Sequence, residues 1–95
     1  MRRGPEVTVR ASVRIAAKLG LHARPCTAIA RLVGKHASAV RLTWESSSAD
    51  ARSIIELMTL NVPGGVEIGL EATGTDAQEL VEALRDLLEG ASPFD

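Results

Sequence analysis

The fold class follows most directly from residues 7–34, VTVRASVRIAAKLGLHARPCTAIARLVG. Residues 7–15 place an apolar side chain at every second position, which is the period of a strand with one buried face. A loop containing Gly20 follows, and because proline is well tolerated only in the first turn of a helix, we predict a helix from Pro25. Gly34 is expected at its end. Its apolar positions follow the i, i+3, i+4, i+7 spacing of a one-sided helix: Cys26, Ile29, Ala30 and Val33.

The rest of the chain adds three strands and two helices. Alternation predicts strands at residues 39–44 and 66–73, and a weaker pattern predicts a short strand at 49–51 after turn residues 45–48. Ser53 and Glu56 form a capping-box pattern that opens a short helix, which residues 61–65 end. The last helix runs from Asp76 to Gly90, and its predicted buried stripe is Leu80, Val81, Leu84, Leu87 and Leu88. The order β-α-β-β-α-β-α predicts an α+β domain whose helices cover one face of a four-stranded, mostly antiparallel sheet, leaving the other face solvated.

Length and composition narrow the possible functions. A chain of 95 residues supports one modest core, so we predict a single domain over residues 1–95, with a core at about 7–89 and short flexible tails. With 2% aromatic residues, the chain has almost nothing on which nucleic-acid bases could stack. Cys26 is the one cysteine, which excludes an internal disulfide and fits a reducing cytoplasm. No apolar run suggests a signal peptide or a membrane span.

Charge is divided unevenly along the chain. Residues 1–52 hold ten Lys and Arg against three acids, whereas residues 53–95 hold one Arg against nine acids. Such a separation of charge indicates which partners the chain attracts and how they are oriented on approach, and it does not indicate the fold. Without interleaved aromatic residues, the basic half fits an acidic protein partner or a phosphorylated ligand at least as well as a nucleic acid.

His22 and Arg24 are the residues best suited to chemistry. They lie where a loop enters the first predicted helix, and a helix N-terminus attracts anions, above all phosphate. At this position a ring nitrogen of His22 is a candidate nucleophile for such a group. Arg24 adds a planar set of donors that match a phosphoryl group. His22 could therefore accept a phosphoryl group, or it could be an ordinary surface histidine beside a solvated arginine.

Two motifs resemble one known family. Residues 20–25, GLHARP, follow an alternating strand and are similar to the active-site signature of the histidine-containing phosphocarrier protein family, HPr. Residues 52–60, RSIIELMTL, resemble that family's second helix, which carries its regulatory serine. The similarity extends from about Val7 to about Glu89. Residues 18–20, residues 71–74 and the short acidic tail are most similar to the nitrogen-related branch, NPr.

The resemblance implies both a fold and a task. The fold is the HPr-like open-faced β-sandwich. The task is to accept a phosphoryl group from phosphorylated enzyme I on His22 and to pass it to a histidine of an enzyme IIA in the phosphoenolpyruvate-dependent phosphotransferase system, as in sugar transport. By position, Arg24 steadies the phosphate and Pro25 sets the helix entry, which leaves the N–H groups of Ala23 and Arg24 near the phosphate. Such a chain is a stoichiometric carrier, not an enzyme. We expect it to be a cytoplasmic monomer with no cofactor, metal, nucleic acid or membrane insertion.

The resemblance also implies regulation and docking. Ser53 matches the serine that HPr kinase/phosphorylase modifies in relatives, while Glu56 places an acid where many relatives have a small or basic residue. That acid makes the site less suited to a phosphate. Enzyme I is expected to dock on an apolar and basic patch beside His22, formed by Thr27, Arg31, Ile54, Ile55 and Met58.

Two other residues are expected to be structural. Cys26 stands where relatives usually have alanine, and because it lies on the buried stripe, we interpret it as a core residue rather than a redox centre. His36 follows the first helix without a Cys, His or carboxylate at ligand spacing, so we expect a solvated histidine rather than a metal ligand.

Two alternative functions remain open at this point. One is a regulatory HPr-like module that binds partners without phosphoryl transfer, and the presence of His22 argues against it. The other is a ligand-binding regulatory domain of the ACT type, which needs no His-x-Arg-Pro motif at a helix start and usually dimerises through strand edges.

Overall fold

The computed structural model describes residues 6–90. Its elements are β1 (Val7–Arg14), α1 (Ala23–Gly34), β2 (Ala39–Trp44), β3 (Ser47–Asp50), α2 (Ile54–Thr59), β4 (Glu67–Gly74) and α3 (Ala77–Glu89). This order confirms the predicted β-α-β-β-α-β-α arrangement. The expected flexible tails fall mainly on residues 1–5 and 91–95, which lie outside the described range. Within that range, no helix is both long enough and apolar enough to cross a membrane.

The four strands form one antiparallel sheet in the order β1-β4-β2-β3. The strand that is last in sequence, β4, therefore lies between β1 and β2. Its inward side chains align with those of both neighbours, since Ile68 pairs with Val13 and Leu70 pairs with Leu42. This register places the apolar residues of the strands on one common face, where they form the floor of the core.

The three helices cover that apolar face and leave the opposite face open. Each helix contributes one stripe to the core, and the fully buried side chains include Ile29 and Val33 of α1, Leu57 of α2, and Leu80 and Leu84 of α3. Burying a side chain of this size contributes about 1.5–3 kcal/mol to stability. On the other face, the polar residues of β1 are exposed to solvent, as their alternation predicts: Thr8, Arg10, Ser12 and Arg14.

Several predicted boundaries are corrected by the structure. The strand β3 begins at Ser47 rather than at residue 49, because Glu45 adopts a φ of 54° and the turn narrows to two residues. The helix α1 begins before Pro25 and is capped at its end by Lys35, whose N–H donates to Leu32 O at 3.1 Å. Leu87 lies at the margin of the core and is only partly buried.

Candidate functional site

His22 lies at the junction between a tight loop and the first turn of α1. It is the N-cap residue, with extended backbone angles (φ −82°, ψ −173°), and its carbonyl accepts the first helical bond from Cys26 N at 3.1 Å. Pro25 occupies the third helical position, where its missing N–H costs nothing because that group has no partner within a helix. The start of the helix therefore fixes the position of the histidine.

The loop before His22 rests on a second loop, residues 62–65. Leu21 is buried and its N–H donates to Val62 O at 3.0 Å. Gly20 has a φ of +71°, and a Cβ at this position would overlap Val62 O and the backbone of Pro63. Gly64, in the second loop, likewise lies so close to the first loop that a Cβ would overlap the backbone carbonyls of residues 17 and 18. Two glycines thus allow the contact between backbones that supports the histidine.

The two ring nitrogens of His22 have different surroundings. Nε2 is buried and has no hydrogen-bond partner within residues 6–90. Nδ1 also has no hydrogen-bond partner among these residues, but it is accessible to solvent. A buried polar atom without a partner is uncommon, and such atoms often mark functional sites. With the ring proton on the enclosed Nε2, the lone pair of Nδ1 is available at the accessible side of the ring.

The first turn of α1 presents donors to this side of the molecule. Ala23 and Arg24 are exposed, and within the described range their backbone N–H groups have no acceptor. The first turn carries no acid, so the positive end of the helix dipole is not compensated there. A shallow groove of about 380 Å³ adjoins it, lined by Ala23, Arg24, Thr27, Ala28 and Arg31. This surface is suited to an anion with several oxygen atoms.

The residues predicted to dock a partner lie on neighbouring helices, since α2 packs against α1. On α2, Ile54, Ile55 and Met58 are 38%, 78% and 44% exposed, while Leu57 of the same helix is fully buried. On α1, the predicted members are Thr27, whose hydroxyl donates to Ala23 O at 2.8 Å, and Arg31, which is exposed.

Sequence reasoning missed one exposed apolar residue in the loop that leads to His22. Leu19, in the loop before His22, is 76% exposed. The sequence did contain a sign of this exposure, because Leu19 directly precedes Gly20 in a predicted loop.

Ser53 caps α2, but the predicted capping box is only half formed. Its hydroxyl oxygen accepts the N–H of Glu56 at 3.1 Å, as predicted. The carboxylate of Glu56 instead accepts from Asp50 N at 3.1 Å, because the N–H of Ser53 already donates to Asp50 O. The acid therefore fastens the end of β3 to α2 rather than closing the box.

Cys26 is a core residue, as predicted. It is fully buried, and its thiol donates to Leu21 O at 3.4 Å. Burial raises the pKa of the Cys26 thiol to about 11, so the thiol is protonated and unreactive at neutral pH.

The prediction of a solvated His36 is wrong. Its side chain is only 15% exposed, Nδ1 lies 2.9 Å from Leu32 O, and Nε2 lies 3.5 Å from a carboxylate oxygen of Glu79. Asp76, predicted only as the start of α3, also lies beside the ring. The sequence spacing concealed these neighbours because the fold places the start of α3 next to the end of α1.

Asp76 joins two parts of the chain through its carboxylate. The carboxylate does not cap α3. It accepts the hydroxyl of Ser38 at 2.5 Å, Ala37 N at 3.0 Å and Ser38 N at 2.9 Å. The hydrogen bond from the Ser38 hydroxyl, followed by that from Ala37 N, holds the pKa of Asp76 below its ordinary value.

Comparisons with known proteins agree with this geometry. Residues 4–90 match the family model of the HPr component phosphorylation site of the phosphotransferase system. The chain is 37% identical to the phosphocarrier protein HPr of Neisseria meningitidis serogroup A over 82 residues, 86% of this chain and 92% of that protein.

Solved structures give the same result. The crystal structure of HPr-C-His from Thermoanaerobacter tengcongensis superposes with a TM-score of 0.81 at 33% identity, covering 85% of this chain and 91% of that one. Crh, the catabolite repression HPr of Bacillus subtilis, has a TM-score of 0.70 at 32% identity, covering 90% and 99%. The fold, the histidine at the start of α1 and these matches lead to one conclusion: the chain belongs to the HPr family of phosphocarrier proteins of the phosphotransferase system.

Proposed function

We propose that this chain accepts a phosphoryl group from phosphorylated enzyme I on Nδ1 of His22 and passes it to a histidine of an enzyme IIA. The observation that carries the proposal is the environment of the His22 ring, with Nδ1 accessible and Nε2 enclosed at the start of α1. In this role the chain is a stoichiometric carrier rather than an enzyme, and it acts as a monomer in the cytoplasm within the phosphoenolpyruvate-dependent system.

The transfer step follows from the two ring nitrogens. The lone pair of Nδ1 attacks phosphorus while the bond from phosphorus to the donor histidine of enzyme I breaks, and that donor nitrogen keeps the bonding electron pair. The proton on Nε2 of His22 stays in place, so the new phosphohistidine carries a positive ring beside a negative phosphoryl group. The same exchange in reverse order delivers the group to enzyme IIA. A preorganised set of donors can then lower the barrier for both directions.

Arg24 and the start of α1 supply those donors. The exposed guanidinium can form charge-assisted hydrogen bonds to phosphoryl oxygens, and the free N–H groups of Ala23 and Arg24 can add two more. We expect Arg24→Ala to slow transfer about ten- to a thousandfold, equivalent to about 1.4–4 kcal/mol in the barrier. Binding to enzyme I is expected to persist, and an unchanged transfer rate would show that the backbone N–H groups suffice.

Docking is proposed at the exposed apolar residues of α2 together with the basic groove of α1. Ile54, Ile55 and Met58 provide the apolar contact, and Arg31 steers an acidic partner. Ser53 lies at the start of the same helix, and it is the residue through which HPr kinase/phosphorylase could act. A phosphate at Ser53 would place negative charge beside the docking surface and weaken the encounter with enzyme I.

A regulatory role without transfer is the second candidate. It is favoured by the similarity to Crh and by the presence of Ser53 at the start of α2. The two candidates differ in one property, because only a carrier becomes phosphorylated at its histidine.

The proposal is tested by incubating the chain with phosphoenolpyruvate and enzyme I and measuring its intact mass. We expect an acid-labile gain of one phosphoryl group, which His22→Ala abolishes without unfolding the protein. The matched control is His36→Gln, which removes the other histidine and should retain the gain. No gain for the parent chain, or an undiminished gain for His22→Ala, would refute the proposal.

A further inference from the structure

A second group of polar side chains lies at the opposite end of α1 from His22. His36, two residues beyond the end of α1, meets Asp76 and Glu79 at the start of α3. One ligand atom from each, an imidazole nitrogen and two carboxylate oxygens, lies within 4.8 Å of the other two. A helix spans about 1.5 Å per residue, so this cluster is about 20 Å from His22 and is separate from the phosphoryl site.

We propose that His36, Asp76 and Glu79 bind one zinc ion, with Nε2 of His36 and one carboxylate oxygen of each acid as ligands. Imidazole and carboxylate are ligands that zinc accepts, and three protein ligands leave a fourth position for water. The site would connect the end of α1 to the start of α3.

The spacing of the donor atoms fits a tetrahedral ion. Zinc bonds of about 2.0–2.2 Å in a tetrahedron place neighbouring ligand atoms about 3.3–3.6 Å apart. The distance from Nε2 of His36 to Oε2 of Glu79 is 3.5 Å. Glu79 has a 76% exposed side chain, which leaves it free to make the small adjustment that brings all three atoms to this spacing.

The groups behind the ligands already hold them in place. Nδ1 of His36 lies 2.9 Å from Leu32 O, and donation to that carbonyl would orient the ring with the Nε2 lone pair toward the acids. The Asp76 carboxylate is positioned by the backbone of Ala37 and Ser38 and by the Ser38 hydroxyl, and Ser38 is fully buried. Outer contacts of this kind are a regular feature of metal sites in proteins.

The local charges also favour a cation. Two carboxylates face the ring, and the negative dipole end of α1 offsets the positive dipole end of α3, where Asp76 and Glu79 lie. The guanidinium of Arg52 contacts the backbone carbonyl of His36 at 3.4 Å rather than either acid. A dication here would be balanced by the two carboxylates.

The test is a calorimetric titration of the untagged, full chain with zinc chloride. We expect one ion per chain and a rise in the thermal midpoint when zinc is in excess, because zinc binds only the folded arrangement. His36→Gln and Glu79→Gln should each weaken zinc binding at least tenfold. Two controls should bind zinc as the parent does: Glu82→Gln, which removes the same charge one turn further along α3, and His22→Ala, which removes the other histidine.

The proposal fails if the parent chain binds no zinc up to about 0.1 mM, a weak affinity for a site of this kind. It also fails if His36→Gln and Glu79→Gln bind as tightly as the parent, or if His22→Ala abolishes binding. Glu79 is exposed, so its variant reports on the site even if His36→Gln does not fold. Because neither His36 nor Glu79 touches the phosphoryl site, this outcome is independent of phosphorylation at His22.

Discussion

We expect Gly20→Ala to destabilise the fold and to slow phosphorylation at His22. Two other glycines, Gly65 and Gly34, allow the size of the effect to be estimated. Gly20 has a φ of +71°, and a Cβ there would overlap the backbone of Val62 and Pro63. Gly65 has a φ of +84° but open space, since the nearest atom is 4.0 Å away. Gly34, in α1, has no atom within 4 Å of the added Cβ and no positive φ. The three positions therefore separate backbone strain from steric overlap.

The expected changes in the free energy of unfolding differ in sign and size. Left-handed backbone costs a residue with a side chain about 1–2 kcal/mol, partly offset by the lower entropy of the unfolded chain, so Gly65→Ala should lose about 1 kcal/mol. Gly34→Ala should gain up to about 1 kcal/mol from helix propensity. Gly20→Ala adds displacement of the loop and loss of the Leu21 N to Val62 O bond, for a total loss of about 2–4 kcal/mol.

The assay is thermal unfolding of the three variants, followed by phosphorylation at His22. One kcal/mol corresponds to about 4–8 °C in a domain of this size, so the loss of about 2–4 kcal/mol should make Gly20→Ala melt about 8–32 °C below the parent. Its phosphorylation should also slow, because the displaced loop carries His22. If Gly20→Ala is as stable as Gly65→Ala, the close contact between the two loops does not support the site as argued.

Three further predictions concern Cys26, Ser53 and Asp76. Burial raises the pKa of the Cys26 thiol from 9.0 to about 11. The free energy of unfolding should therefore be constant below about pH 9 and fall by up to about 3 kcal/mol as the pH rises to about 11, as measured by denaturant titrations at each pH. In Cys26→Ala this fall should disappear. Ser53→Asp should fold normally yet be phosphorylated at His22 at least several-fold more slowly, and a rate equal to the parent's would leave Ser53 as a helix cap only. The pKa of Asp76 is lowered, so its stabilising effect is present above about pH 3.8 and is lost as the pH falls below that value. The free energy of unfolding should therefore fall less on acidification in Asp76→Asn than in the parent. An equal fall in both proteins would show that the carboxylate bonds to residues 37 and 38 do not form in solution.

The parts of the fold that local patterns encode were predictable. Alternation in β1 and the apolar stripe of α1 depend on residues a few positions apart, so their buried faces could be assigned before any contact was known. His22 was found for the same reason, since the loop, Pro25 and the helix start are contiguous. The alternation of β4 predicted a strand, and the structure adds that this strand lies in the middle of the sheet.

The remaining features depend on contacts between distant residues. His36 meets acids about forty positions away, and no spacing within the sequence announces that contact. The carboxylate of Glu56 bonds the backbone of Asp50 rather than that of Ser53, because the N–H of Ser53 already donates to Asp50 O across the bend between β3 and α2. Which nitrogen of His22 is enclosed is likewise decided by packing around the ring and not by the motif.

The most direct test of the central claim is to identify which nitrogen of His22 becomes phosphorylated. The chain, labelled uniformly with nitrogen-15, is phosphorylated by phosphoenolpyruvate and enzyme I, and the ring nitrogens are observed by NMR through their couplings to ring protons and phosphorus. The enclosed Nε2 and accessible Nδ1 predict a single phosphohistidine with phosphorus on Nδ1 of His22. Phosphorus on Nε2, or a ring that stays unmodified while enzyme I is active, would contradict the account.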